Sequence, residues 1–106
     1  RHVVMSDPTL LVLTSLADGD KHGYAIMTDV REFASVDLGP GTLYTTLPKL
    51  LDAGLVEESA HRSVEGDDER RRYYQLSSAG REAVVEETRR LQKLVRYAGR
   101  HARVEA

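Results

Sequence analysis

Two stretches of this 106-residue chain carry side chains suited to gripping a polyanion. The first follows Pro40, where Thr42, Tyr44, Thr45, Thr46 and Lys49 supply hydroxyl groups and one ammonium group. The second is Arg70-Arg71-Arg72. Hydroxyls, lysine and arginine all donate to phosphate oxygens, and such contacts set the position of a protein on nucleic acid. The Pro40 stretch holds no Arg, Asn or Gln to grip guanine or adenine bidentately. Direct base reading is therefore expected to be modest, with shape and backbone contacts carrying more. The arginines admit two readings. They contact phosphate or a minor groove, or they neutralise the acids just before them.

Other chemistries find little support. The chain has no cysteine, which removes a disulfide framework, a cysteine-based zinc finger and a thiol nucleophile, and which fits a reducing cytoplasm. His2, His22, His61 and His101 are scattered, with no pair at metal-ligand spacing beside a third ligand, so neither a metal nor another cofactor is expected. Ser15 and Ser35 have no catalytic partner near them in sequence, and there is no glycine-rich phosphate loop. The run Leu10–Leu13 is far too short to span a bilayer, and no stretch reads as a secretory signal. No membrane role is expected. Arg1–Met5 is given no functional role.

The formal net charge of −2 argues against nucleic acid at first sight. Its distribution argues otherwise. Residues 57–69 hold six acids (Glu57, Glu58, Glu65, Asp67, Asp68 and Glu69) and one base, whereas residues 70–103 hold ten bases and three acids. A charged partner feels the local surface, screened over about 8 Å at physiological salt.

The elements that position these groups are legible in outline. The composition, 41% hydrophobic and 30% charged, is that of one globular domain. Asp7-Pro8 reads as N-cap and first residue of a helix to about Leu16, with Leu10, Leu11, Leu13 and Leu16 mostly inward. Residues 17–20 form a turn. Asp20 then caps a second helix over 21–33, whose buried face would hold Tyr24, Ile26, Met27, Val30 and Phe33. Gly23 suggests a close approach of another backbone, or simple packing. Pro40 opens a third helix to about Ala53, with Leu43, Leu47, Leu50 and Leu51 inward. Gly54 stands where a left-handed cap is expected. Two strands follow, Leu55–Ser63 and Arg71–Ser77, the second with Tyr74 and Leu76 on one face and Tyr73 and Gln75 on the other. Residues 64–70 are the charged hairpin tip.

Ser77 or Ser78 caps a last helix over about 78–102. Val84, Thr88, Leu91, Val95, Ala98 and Ala102 alternate four- and three-residue steps, a heptad seam that calls for a partner helix. Leu94 and Tyr97 flank it. Tyr97 is either interface packing or an aromatic floor for a small-molecule effector. Glu86 and Arg90 form the one opposite-charge four-step pair noted on this helix.

The order helix, helix, helix, hairpin, long helix predicts a mainly α (α+β) fold. It is a winged helix-turn-helix with a two-stranded wing and a long C-terminal dimerisation helix. Residues 6–77 form the DNA-binding unit and residues 78–106 the dimerisation helix. The third helix would enter the major groove, with its N-terminal residues nearest the bases.

Four segments resemble PadR-family transcriptional regulators of the short subgroup with a single C-terminal helix. They are His22-Gly23-Tyr24, Gly41-Thr42-Leu43-Tyr44, the stretch Leu50 to Val56 ending Gly54-Leu55-Val56, and Arg72-Tyr73-Tyr74-Gln75-Leu76-Ser77 with Ala79-Gly80. The resemblance implies a dimeric repressor of double-stranded DNA, often for detoxification or efflux genes. It implies DNA contact by Tyr44 and its neighbours, and a dimer interface formed by the last helix with Leu10 and Leu11 of the first. In some members an aromatic or drug-like effector near that interface releases the DNA. The chain departs from the family pattern at Thr45, where proline is usual, and at Pro48, where a basic residue is common. An interior proline removes one helical hydrogen bond and crowds Tyr44. The competing readings are a winged-helix protein-interaction module that has lost DNA binding and, as a residual, an enzyme.

Overall fold

The computed structural model describes residues 5–60 and 71–102. Helix α1 spans Asp7–Ser15 and is capped by Ser6, whose side chain accepts from the Thr9 amide at 3.4 Å. The cap thus falls one residue before the expected Asp7, which takes the first helical position with Pro8 second. A 3₁₀ turn, Leu16–Asp18, ends the segment.

Lys21–His22 then form a two-residue strand, β1, where the sequence suggested the start of a helix. Helix α2 spans Gly23–Ala34, and its cap is His22, whose Nδ1 accepts from the Ala25 amide at 3.2 Å. Asp20 has another task. Its carboxylate accepts from the buried Ser59 hydroxyl. Lys21 reaches back to the Ser15 carbonyl and the Asp18 carboxylate, and Ser15 Oγ donates to Asp29 at 2.8 Å. The hydrogen bond from Lys21 holds Asp18 below the usual carboxylate range. These bonds tie the end of α1 to the middle of α2.

Helix α3, Pro40–Asp52, continues through Pro48. Its end is the cap expected from Gly54, which has φ +74°. The Gly54 amide donates to Leu51 at 3.1 Å and the Leu55 amide to Leu50 at 3.0 Å, the paired bonds of a Schellman cap. Strands β2 (Val56–Glu58) and β3 (Tyr73–Leu76) pair antiparallel with Val56 opposite Leu76. Strand β1 pairs on the other edge of β3, with His22 opposite Tyr73, so the sheet is three-stranded in the order β1-β3-β2. The expected two-stranded wing is thereby anchored to the start of α2. Residues 61–70, with the expected hairpin tip, lie outside the described residues.

The core gathers Val12, Leu13 and Leu16 from α1, Ile26 and Val30 from α2, Leu43, Leu47 and Leu50 from α3, with Leu38 and Val56. Three expected burials differ. Tyr24 and Phe33 are exposed, because Ile26 and Val30, with Met27 and Ala34 partly buried beside them, set the inward line of α2. On β3 it is Tyr73 that is buried, edge-on to the His22 ring with centroids 5.2 Å apart, while Tyr74 is half-buried. The added strand β1 supplies the neighbour that covers Tyr73.

Helix α4 spans Ser78–His101, capped by Ser77 through the Gly80 amide at 3.0 Å. Its first half packs on α1 and β3. Its second half extends beyond the core, and Leu94, Val95 and Tyr97 are exposed.

Candidate nucleic-acid interface

The outward face of α3 follows from what its inward face buries. Leu43, Thr46, Leu47 and Leu50 are inward, leaving Thr42, Tyr44, Thr45 and Lys49 exposed. Thr46 was expected outside, yet it is only 8% exposed. It lies three residues after Leu43 and four before Leu50, so the helical period places it on their face. Leu51, expected inside, turns outward in exchange at 37% exposure. The Thr45 hydroxyl donates to the Gly41 carbonyl at 2.8 Å, within its own helix.

Tyr44 is 55% exposed, and its phenol lies over Gly23. A Cβ on Gly23 would meet the Tyr44 hydroxyl, with Leu43 Cδ2 at 3.3 Å. The close neighbour that demands glycine is thus a side chain of α3 and not another backbone. Arg71 and Arg72 are exposed at the start of β3, beside the same place. Arg72 Nη1 lies 3.9 Å from Glu58, so the neutralising reading has one partner on β2. Arg70 lies outside the described residues. A cavity of about 270 Å³ collects Tyr44, Arg71 and Arg72 with His22, Gly23, Tyr24 and Tyr74. Thr42, Thr45 and Lys49 share the exposed face of α3 but do not line it. Burial pushes the Tyr74 phenol up from its ordinary value while Arg72 pulls it the other way, so Tyr74 is a neutral O–H donor near neutral pH.

His22, Tyr24 and Tyr74 were not expected at the site. The residue types gave no warning, because what brings them there is the pairing of β1 with β3.

The residues of the expected interface between copies divide by depth. Leu10, Leu11, Val84, Leu91 and Ala98 are half-buried, whereas Thr88, Leu94, Val95 and Ala102 are exposed. Thr88, Leu91 and Val95 line a groove of about 370 Å³ on α4. Tyr97 stacks on His101 with centroids 4.1 Å apart. Arg90, expected to pair with Glu86, also neighbours a second acid on α4. Arg90 donates two bonds to Glu87, at 2.9 and 3.0 Å, and Glu87 is fully buried. A buried charge left unpaired would be costly, and the bond raises Arg90 above its usual value.

Three short helices, with an exposed hydroxyl- and cation-bearing third helix beside a small antiparallel sheet, define a winged helix-turn-helix protein of the DNA-binding class. The comparisons with known proteins agree. The transcriptional regulator PadR-like family matches residues 12–86. The chain belongs to that family. Transcriptional regulator Rv3488 of Mycobacterium tuberculosis is 39% identical over 87 residues, 82% of this chain and 78% of the relative. A 37.1 kDa protein in transposon TN4556 of Streptomyces fradiae is 36% identical over 89 residues, 84% of this chain. The chain spans only 24% of that relative's length. A crystal structure of a PadR family transcription regulator from Clostridium difficile superposes with a TM-score of 0.78 at 22% identity, over 90% of this chain and 97% of that one, a likeness of fold. No helix among the described residues is long and apolar enough to cross a membrane.

Proposed function

We propose that the protein is a homodimeric repressor that binds an inverted-repeat operator in double-stranded DNA. Residues 6–77 are its DNA-binding unit and residues 78–106 its dimerisation helix. Helix α3 enters the major groove with Thr42, Tyr44, Thr45 and Lys49 toward the duplex, while Arg70, Arg71 and Arg72 engage the backbone beside it. The observation that carries this reading is the meeting of Tyr44, Arg71 and Arg72 at one exposed mouth. The exposed apolar residues on the outer half of α4 support the dimer. Pairing of those helices sets the two copies of α3 about 34 Å apart, one duplex turn. An aromatic or drug-like effector seated near Tyr97 and a cytoplasmic location complete the reading.

The test is duplex binding as a function of salt. A dimer that neutralises roughly eight phosphates shows a slope of log affinity against log salt near −7. Tyr44→Ala and Arg71→Glu each weaken retention of the duplex. A flat salt dependence, or unchanged retention by both variants, would point instead to a protein-interaction module. The net charge of −2 and the Arg72–Glu58 pair favour that second reading.

A further inference from the structure

The outer half of α4 carries charge that neither the core nor the expected seam uses. Residues 88–102 hold five Arg or Lys and no acid. Arg90 is bound to the buried Glu87. The other four, Arg89, Lys93, Arg96 and Arg100, are exposed, and among the described residues none of them is held in an ion pair. Their steps of four, three and four residues place them in one row on the helix. At 3.6 residues per turn the row lies roughly 150° round the helix from Thr88, Leu91, Val95 and Ala98. A second copy seated on those four residues therefore leaves the row open to solvent. Glu82 and Glu86 share its face nearer the core and end it there.

Solvation alone does not account for the row. Exposed faces ordinarily intersperse both signs, since like charges three or four residues apart on a helix repel. Here Arg89 neighbours Lys93, Lys93 neighbours Arg96, and Arg96 neighbours Arg100, with no acid between them. The helix dipole favours cations in the last turn, which accounts for Arg100 but not for the other three. The row spans about 16 Å of helix. A duplex carries about ten phosphate charges over that length. We propose that this row is a second contact surface for duplex DNA, separate from α3 and the wing, which holds phosphates without reading sequence. The proposal rests on the reading of the protein as a DNA-binding dimer, whose paired α4 helices use the opposite face. A membrane surface suits the row less, because an interfacial helix sinks apolar residues beside its cations. Leu94 and Val95 are turned away from it. A protein partner would need an aromatic or aliphatic anchor, and the row itself has none.

The test uses a random-sequence duplex of about 30 base pairs, because phosphate contacts are independent of sequence. Tyr44→Ala with Arg71→Glu disables the α3 surface. That double variant is expected to keep weak duplex binding, with a slope of log affinity against log salt of about −3.5, the value for four phosphates. Adding Arg89→Gln, Lys93→Gln, Arg96→Gln and Arg100→Gln abolishes this residual binding. Gln is nearly as good a helix former as Arg or Lys, so the circular-dichroism spectrum and the sedimentation of the parent are retained. Replacing the three arginines by lysine instead keeps the binding, because phosphate accepts from either cation. In the wild type, whose folding is not in question, the backbone amides of residues 89–100 shift in ¹⁵N spectra when duplex is added. No residual binding in the double variant, residual binding that survives the four Gln changes, or amides of 89–100 indifferent to duplex overturns the second surface and leaves the α3 reading standing. Capture of the double variant by phosphatidylserine vesicles or polyglutamate, but not by duplex, likewise overturns it and marks a membrane or protein contact. Duplex binding that ignores Tyr44→Ala and Arg71→Glu but is lost with the four cations keeps this surface and removes the α3 reading. A wild type that binds no duplex removes both.

Discussion

Gly23 and Tyr44 are twenty-one positions apart in the chain, yet the phenol of one fills the space that a side chain on the other would need. The atom in the way is the free end of a half-exposed side chain, so an added methyl group moves Tyr44 without breaking the core. Gly23→Ala is therefore expected to keep the melting temperature within a few degrees and to weaken duplex binding about as much as Tyr44→Ala, read by thermal melting and fluorescence anisotropy. Glu87 makes the opposite case. It is fully buried and accepts two bonds from an arginine whose side chain is 35% exposed. Glu87→Gln keeps the volume and removes the charge. The expected cost is about 1–2 kcal/mol in chemical denaturation, at the lower end for a charged hydrogen bond because solvent reaches Arg90. No change in stability would show the pair to be ornamental.

The turn from α3 into β2, and its meeting with α4, depend on two glycines for different reasons. Gly54 has φ +74° with open space around it, so Gly54→Ala meets only backbone strain, about 1 kcal/mol. Gly80 has ordinary backbone, but a Cβ there would collide with the Leu55 carbonyl, which already accepts the Ser77 amide at 3.1 Å. A carbonyl held by its own sheet cannot step aside. Gly80→Ala is expected to cost more than Gly54→Ala, about 1–3 kcal/mol, with both measured by urea denaturation. The Gly54 cap was legible because Gly after a run of leucines has a local cause. Gly80 stands in the sequence only as part of a resembling segment with no local cause, since the carbonyl that requires it belongs to another element.

The molecule is 51 Å long but only 23 Å across its thinnest direction, because the outer half of α4 leaves the core. Leu94, Val95 and Tyr97 on that half are exposed, and Val95 is 68% exposed. Leu91 is half-buried, so a charge there reports on burial as well as assembly. Val95→Glu is the cleaner probe. It is expected to leave the helical circular-dichroism spectrum intact, to yield monomers in sedimentation, and to weaken duplex binding, since two tethered copies of α3 bind more tightly than one. Monomeric wild-type protein would defeat the argument for paired α4 helices.

The order of the four helices, the burial of Leu13, Leu16, Leu43, Leu47 and Leu50, the Gly54 cap and the heptad spacing of α4 all have causes within a few residues, and the sequence alone was enough for them. Thr46 and Leu51 were misplaced because the leucine stripe of α3 is wide enough to fit two rotations of the helix, and only packing against α1 chooses between them. Strand β1 was hidden because two residues carry no period. Its existence depends on the edge that β3 offers after some fifty intervening residues. Those same long-range contacts decided the candidate site, since His22, Tyr44 and the Arg71–Tyr74 stretch belong to three separate segments. A linear pattern can show which side chains are able to bind an anion. Which of them face the same anion depends on the tertiary pairing, because the chain between them sets no distance.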